Sequence, residues 1–85
     1  MPERPVWQKF CELAGLENRS YEDFSDLDYI EKNYLDSVDS IKLISWIEEE
    51  YDVKLGAKDV TSKEFRTLRG VNRIIERKVN DSENL

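Results

Sequence analysis

Apolar residues recur at three- and four-residue intervals in three separate stretches of this chain, and nowhere do they follow the two-residue alternation of a strand. The stretches are Val6, Trp7, Phe10, Cys11, Leu13 and Ala14; Leu43, Ile44, Ile47 and Tyr51; and Val71, Ile74, Ile75 and Val79. Each spacing lines one side of a helix, so an all-α fold is expected. The 85 residues suffice for one domain spanning 1–85. A chain of that size buries about 60–65% of its unfolded surface, which leaves no room for a deep active site.

Local signals set the expected boundaries. Pro5 suits the first turn of the first helix, and Gly15 and Asn18 are placed to end it. Residues 15–36 form a long connection carrying Leu16, Phe24, Leu27, Tyr29, Ile30, Tyr34 and Leu35. So many large side chains imply a loop laid over the bundle, not a disordered linker. Within it, Ser25-Asp26-Leu27-Asp28 is expected to cap a turn of helix. Asp26, Asp28 and Glu31 have some of the spacing of a calcium loop, but Glu31 occupies the position where such a loop needs glycine, so calcium is not expected. The second helix should start at Asp36 or Ser37 and end at Tyr51 or Asp52. Thr61-Ser62-Lys63-Glu64 reads as a capping box opening a short helix with Phe65, Thr67 as the cap of the last helix, and 80–85 as a frayed tail. The sum is a small four-helix bundle, three helices long and one short, with a long first loop.

Charge and composition narrow the functions. Nineteen acidic residues against 13 basic ones give a net charge of −6, which disfavours nucleic acid and anionic membranes as partners and favours basic protein surfaces. A single cysteine, Cys11, rules out an internal disulfide and suits a cytoplasmic home; it falls on the edge of the first apolar face and reads as a small core residue. There is no histidine, so the commonest general base and metal ligand are both missing. No apolar run approaches the roughly 18 residues of a membrane span. A monomer without catalytic activity is expected.

The run Leu35-Asp36-Ser37-Val38-Asp39-Ser40-Ile41-Lys42-Leu43 sets an acid-flanked serine at a helix N-terminus, where unpaired N–H groups and the helix dipole favour a phosphate. Helical geometry turns Ser40, Leu43, Ile44, Ile47 and Tyr51 inward and leaves Val38, Ile41 and Ser45 outside with Lys42, Glu49 and Asp52. Trp46 falls on the boundary and is expected to pack under the long loop.

Read onward through Trp46-Ile47-Glu48-Glu49-Glu50-Tyr51-Asp52, the chain resembles acyl and peptidyl carrier proteins. The likeness rests on Asp36-Ser37-Val38, on Glu49-Glu50-Tyr51-Asp52 at the end of the helix, and on Phe65-Arg66-Thr67 before the last one. It implies the carrier-protein type of bundle and a 4′-phosphopantetheine arm on Ser37, transferred from coenzyme A by a phosphopantetheinyl transferase. Asp36 would be the family's acid beside that serine, and Val38, Ile41, Lys42, Ser45 and Glu48 would face partner enzymes. The implied role is a stand-alone acyl or aminoacyl carrier, served by a loading enzyme and downstream biosynthetic enzymes. Lys42 and Ser45 stand where fatty-acid carriers usually have an acid and a methionine, and the bulky core residues imply short or polar cargo. The alternative is a helical protein–protein interaction module without a prosthetic group.

Overall fold

The computed structural model describes residues 3–83. Helices α1 (Glu3–Ala14), α2 (Tyr21–Phe24), α3 (Ser37–Tyr51), α4 (Ala57–Val60) and α5 (Leu68–Glu83) follow in order, with a 3-10 turn at Glu64–Arg66 before α5. The described residues contain no strand. The fold is therefore all-α with three long helices, and in place of one short fourth helix it has α2, α4 and the 3-10 turn.

The three apolar stripes meet as their spacing requires. Helix α1 packs on α3 and α5, and Val6, Phe10, Leu43, Ile47 and Leu68 are all 0% exposed. Val71, Ile74 and Ile75 complete the core from α5. Each such side chain contributes roughly 1.5–3 kcal/mol by leaving water. The radius of gyration, 12.2 Å, equals the value of about 12 Å expected of one globule of this length.

Helix ends follow local chemistry. Gly15 takes φ 70° just past α1, and Leu16 N–H closes on the Cys11 carbonyl at 3.0 Å, an ending that glycine adopts without penalty. At the end of α3 the left-handed residue is Asp52, whose N–H donates to the Glu48 carbonyl. Thr67 Oγ1 accepts from Gly70 N–H at 3.1 Å and caps α5 as expected. The expected capping box at Thr61–Glu64 does not form. Thr61 Oγ1 instead closes α4 by donating to the Ala57 carbonyl at 2.6 Å, Ser62 Oγ accepts from Phe65 N–H at 3.4 Å, and Glu64 pairs with Arg77 at 2.6 Å. Helix α4 is ordered from its own first turn, where Asp59 Oδ2 accepts from Gly56 N–H at 2.9 Å and binds Lys78 Nζ at 3.0 Å. Helix α5 also continues to Glu83, past residue 80 where the sequence suggests a tail; residues 84–85 lie outside the described chain.

The long loop lies over the bundle, with Phe24, Tyr29 and Leu35 buried. Its helical turn is Tyr21–Phe24, ahead of Ser25 and not after it. Ser25 is buried because Arg69 claims it: Nη2 donates to the Ser25 hydroxyl at 3.0 Å, and Arg69 N–H donates to the Ser25 carbonyl at 3.0 Å. Arg69 also grips Asp26 with Nε at 2.7 Å and Nη2 at 3.3 Å, while Arg66 Nε holds Asp28 at 2.6 Å. Between these pairs, Tyr29 N–H donates to the Arg66 carbonyl at 3.1 Å and its hydroxyl donates to the Phe65 carbonyl. Burial pushes the Tyr29 phenol pKa up, so it stays a donor.

Two outcomes follow from this packing. A Cβ on Gly70 would sit 1.8 Å from the Glu64 carbonyl oxygen and 2.6 Å from its carbon. In an open helix Gly→Ala gains up to about 1 kcal/mol. Here Gly70→Ala should instead destabilise by about 3 kcal/mol in urea melts, because backbone must move. The second outcome concerns acid. The Arg69 hydrogen bond lowers the Asp26 pKa, and the Glu31 N–H followed by Arg66 lowers that of Asp28. At Asp59 partial desolvation pulls upward and is outweighed by Gly56 N–H and Lys78. Depressed folded values give stability that is complete above the ordinary aspartate value of about 3.9 and is lost as pH falls through the folded values. Melts stepped down in pH should show that decline, and a flat profile below about pH 4 would contradict it.

Candidate functional site

Leu35 is buried, and Tyr34 N–H bonds the Tyr29 carbonyl at 3.0 Å, so the chain enters α3 from a fixed point. Asp36 then adopts extended backbone (φ −81°, ψ −178°) as N-cap. Its Oδ1 accepts from Asp39 N–H at 2.7 Å, and its carbonyl accepts from Ser40 N–H at 2.9 Å. These bonds satisfy donors that a helix start would otherwise leave open. Ser37 is thereby the first residue of α3.

Ser37 is exposed, and its hydroxyl makes no hydrogen bond within the described residues. Val38 and Ile41 are 57% and 63% exposed, the large apolar side chains left in water among the described residues. Ser45 and Lys42 lie in the same exposed strip, and Lys42 forms no ion pair within the described residues. On the opposite side Leu43 and Ile47 are buried while Ser40, Ile44 and Tyr51 are half-buried, so the two faces fall where helical spacing puts them.

Two side chains are placed differently from expectation. Glu48 is half-buried, and its Oε2 accepts from Leu55 N–H at 3.0 Å; it straps the turn after α3, leaving Glu49 and Asp52 as the exposed acids of this face. Trp46 borders a groove with Pro5, Gln8, Lys9 and Glu12 of α1, a groove that no residue of the long loop lines, and its ring is edge-on to Tyr51 at 5.9 Å. A second groove, of about 740 Å³, is lined by Glu48, Glu49, Asp52, Val53, Lys54, Lys78 and Asp81. It lies at the other end of α3, roughly 17 Å along the axis from Ser37 at 1.5 Å per residue.

Other chemistry is sparse. Desolvation pushes the half-buried Cys11 thiol pKa up, away from a reactive thiolate. Among the described residues no group of three or more His, Cys, Asp or Glu could hold a metal; Asp26 and Asp28 are held by arginines. No described helix is long and apolar enough to cross a membrane.

The sequence marked Tyr29 only as an apolar anchor of the loop and Arg66 only as part of Phe65-Arg66-Thr67, and it did not mark Arg69; together these three hold the loop leading to Ser37. The available signal was the presence of two closely spaced acids, Asp26 and Asp28, and two closely spaced arginines, Arg66 and Arg69, on segments about 40 residues apart. Compared with known proteins, the chain matches no family model, no curated protein and no solved structure.

The cap and the strip should respond differently to substitution. Asp36→Ala should cost about 1 kcal/mol, the usual loss for a capping side chain. Ile41→Asp should leave stability within about 0.5 kcal/mol, as at other exposed positions. Circular dichroism melts of the two variants would check this, and unfolding by Ile41→Asp would reverse the face assignment.

Proposed function

We propose that this chain is a carrier of the acyl and peptidyl type, holding its cargo on a 4′-phosphopantetheine arm at Ser37. The observation that carries the reading is the Ser37 hydroxyl: exposed, without a partner among the described residues, and held at the first residue of α3 by a capped turn. Exposure lets a phosphopantetheinyl transferase reach Oγ, and the N–H groups and dipole of α3 favour the phosphate that would be joined there. Attachment makes a phosphodiester at Ser37 Oγ as the pyrophosphate linkage of coenzyme A breaks and adenosine 3′,5′-bisphosphate leaves. The serine proton must pass to the transferase, since this chain has no histidine to accept it. Once attached, the arm supplies a terminal thiol that bears cargo as a thioester.

The chain's own contribution is presentation. Val38 and Ile41 offer apolar contact beside the serine, and Ser45 extends the strip without charge. A net charge of −6 speeds encounter with basic client surfaces, while Lys42 discourages clients that are strongly basic at that point. A docked client then meets tethered cargo at high effective concentration, with no catalytic group needed here.

Incubation with coenzyme A, magnesium and a broad-specificity transferase should add the mass of one phosphopantetheine, and peptide mapping should place it on Ser37. Ser37→Ala should abolish the gain. An arm on the half-buried Ser40 would overturn the site. A folded, unmodified chain would point to an interaction module that uses Val38 and Ile41 alone.

A further inference from the structure

We infer, on the carrier reading above, that the cargo is short or polar and stays outside the bundle, because packed aromatic rings occupy the interior behind the loop that leads to Ser37. Tyr34 stands three residues before Ser37. Its ring meets Phe24 edge-on at 5.2 Å. Phe24 in turn lies 5.5 Å from Trp7 and 6.5 Å from Phe10. Phe10 is 0% exposed and abuts Tyr29 at 5.4 Å; Tyr29 reaches Phe65 at 6.5 Å.

These rings cannot easily step aside. Tyr29 is 1% exposed and is tied at both ends, by N–H to the Arg66 carbonyl and by its hydroxyl to the Phe65 carbonyl. Across from it, Leu43 and Ile47 are 0% exposed. An alkyl chain entering from Ser37 would have to displace a ring or break those bonds for every methylene it hid. Left outside, each added methylene stays in water, so lengthening the cargo brings no stabilisation. The interior therefore selects cargo by giving long chains nothing.

The test separates this inference from the carrier reading by tethering chains without any transferase. In a Cys11→Ser, Ser37→Cys background, ethyl, hexyl and decyl groups are attached as mixed disulfides from the alkyl methanethiosulfonates. The melting temperature should not rise from ethyl to decyl, and the methyl NMR signals of Leu43, Ile47 and Ile75 should keep their positions. Phe24→Ala in the same background removes one of these rings, and there the decyl adduct should melt higher than the ethyl adduct, since an apolar cavity accepts an apolar guest. If Phe24→Ala does not fold, Tyr34→Ala removes the half-buried ring nearest the tether instead. A decyl chain that stabilises the unaltered core or shifts its methyl signals overturns the inference, as does a ring-deleted protein that gains nothing from decyl. Failure of coenzyme A loading at Ser37 would sink the carrier reading, leaving the alkyl series as a readout of the interior.

Discussion

A buried phenol must find an acceptor, and Tyr29 finds one in the carbonyl of Phe65. This contact joins residues that are 36 apart in the chain and fastens the long loop to the turn before α5. The Asp26–Arg69 and Asp28–Arg66 pairs flank it, but exposed pairs of that kind are worth at most about 1 kcal/mol each. Losing the Tyr29 hydroxyl would also strand a buried carbonyl, at about 1–3 kcal/mol. The neutral hydrogen bond therefore outweighs either ion pair and sets where the chain arrives at Leu35, Asp36 and Ser37. The placement of α3's first turn depends on a residue eight positions upstream of Ser37 and on a carbonyl from the other half of the molecule.

The division of labour along α3 sharpens what each side chain contributes. Asp36 caps the helix through Asp39 N–H, a role that any helix start would reward, so its presence needs no partner to explain it. Glu48 likewise serves the fold by holding Leu55 N–H. Val38 and Ile41 do nothing comparable: they are apolar and stand mostly in water, 57% and 63% exposed. These two and the exposed Ser37 are the parts of α3 whose placement the fold alone does not account for.

What could be read in advance was whatever a short window of sequence contains. Val6 and Phe10, Leu43 and Ile47, and Val71, Ile74 and Ile75 are separated by helical intervals, and their burial follows from spacing. The two faces of α3, its start at Ser37 and the Thr67 cap are local in the same sense. Short elements were harder. Tyr21–Phe24 and Ala57–Val60 are single turns with too few residues to establish a period. Thr61 followed three residues later by Glu64 satisfied a capping rule, but Glu64 had a stronger claim from Arg77, on α5. Ser25 turned inward for Arg69, 44 residues away. Trp46 sat at the edge of a stripe, where spacing cannot choose between two neighbours, and the groove it borders is lined by residues of α1 and none of the loop. For Glu64 and Ser25 a distant partner decided between locally acceptable states.

The glycine at position 70 gives α5 its bearing on the turn before it. With no Cβ there, the helix lies directly on the backbone of Glu64, closer than side-chain packing would allow. Such a contact leaves no side chain between the two segments that could repack. Glu64–Arg66 also holds Asp28 and Tyr29, so the restraint passes to the loop. Helix α5, the 3-10 turn and the loop are thus joined by backbone contact and buried hydrogen bonds, while the first turn of α3 keeps Ser37 and Val38 exposed.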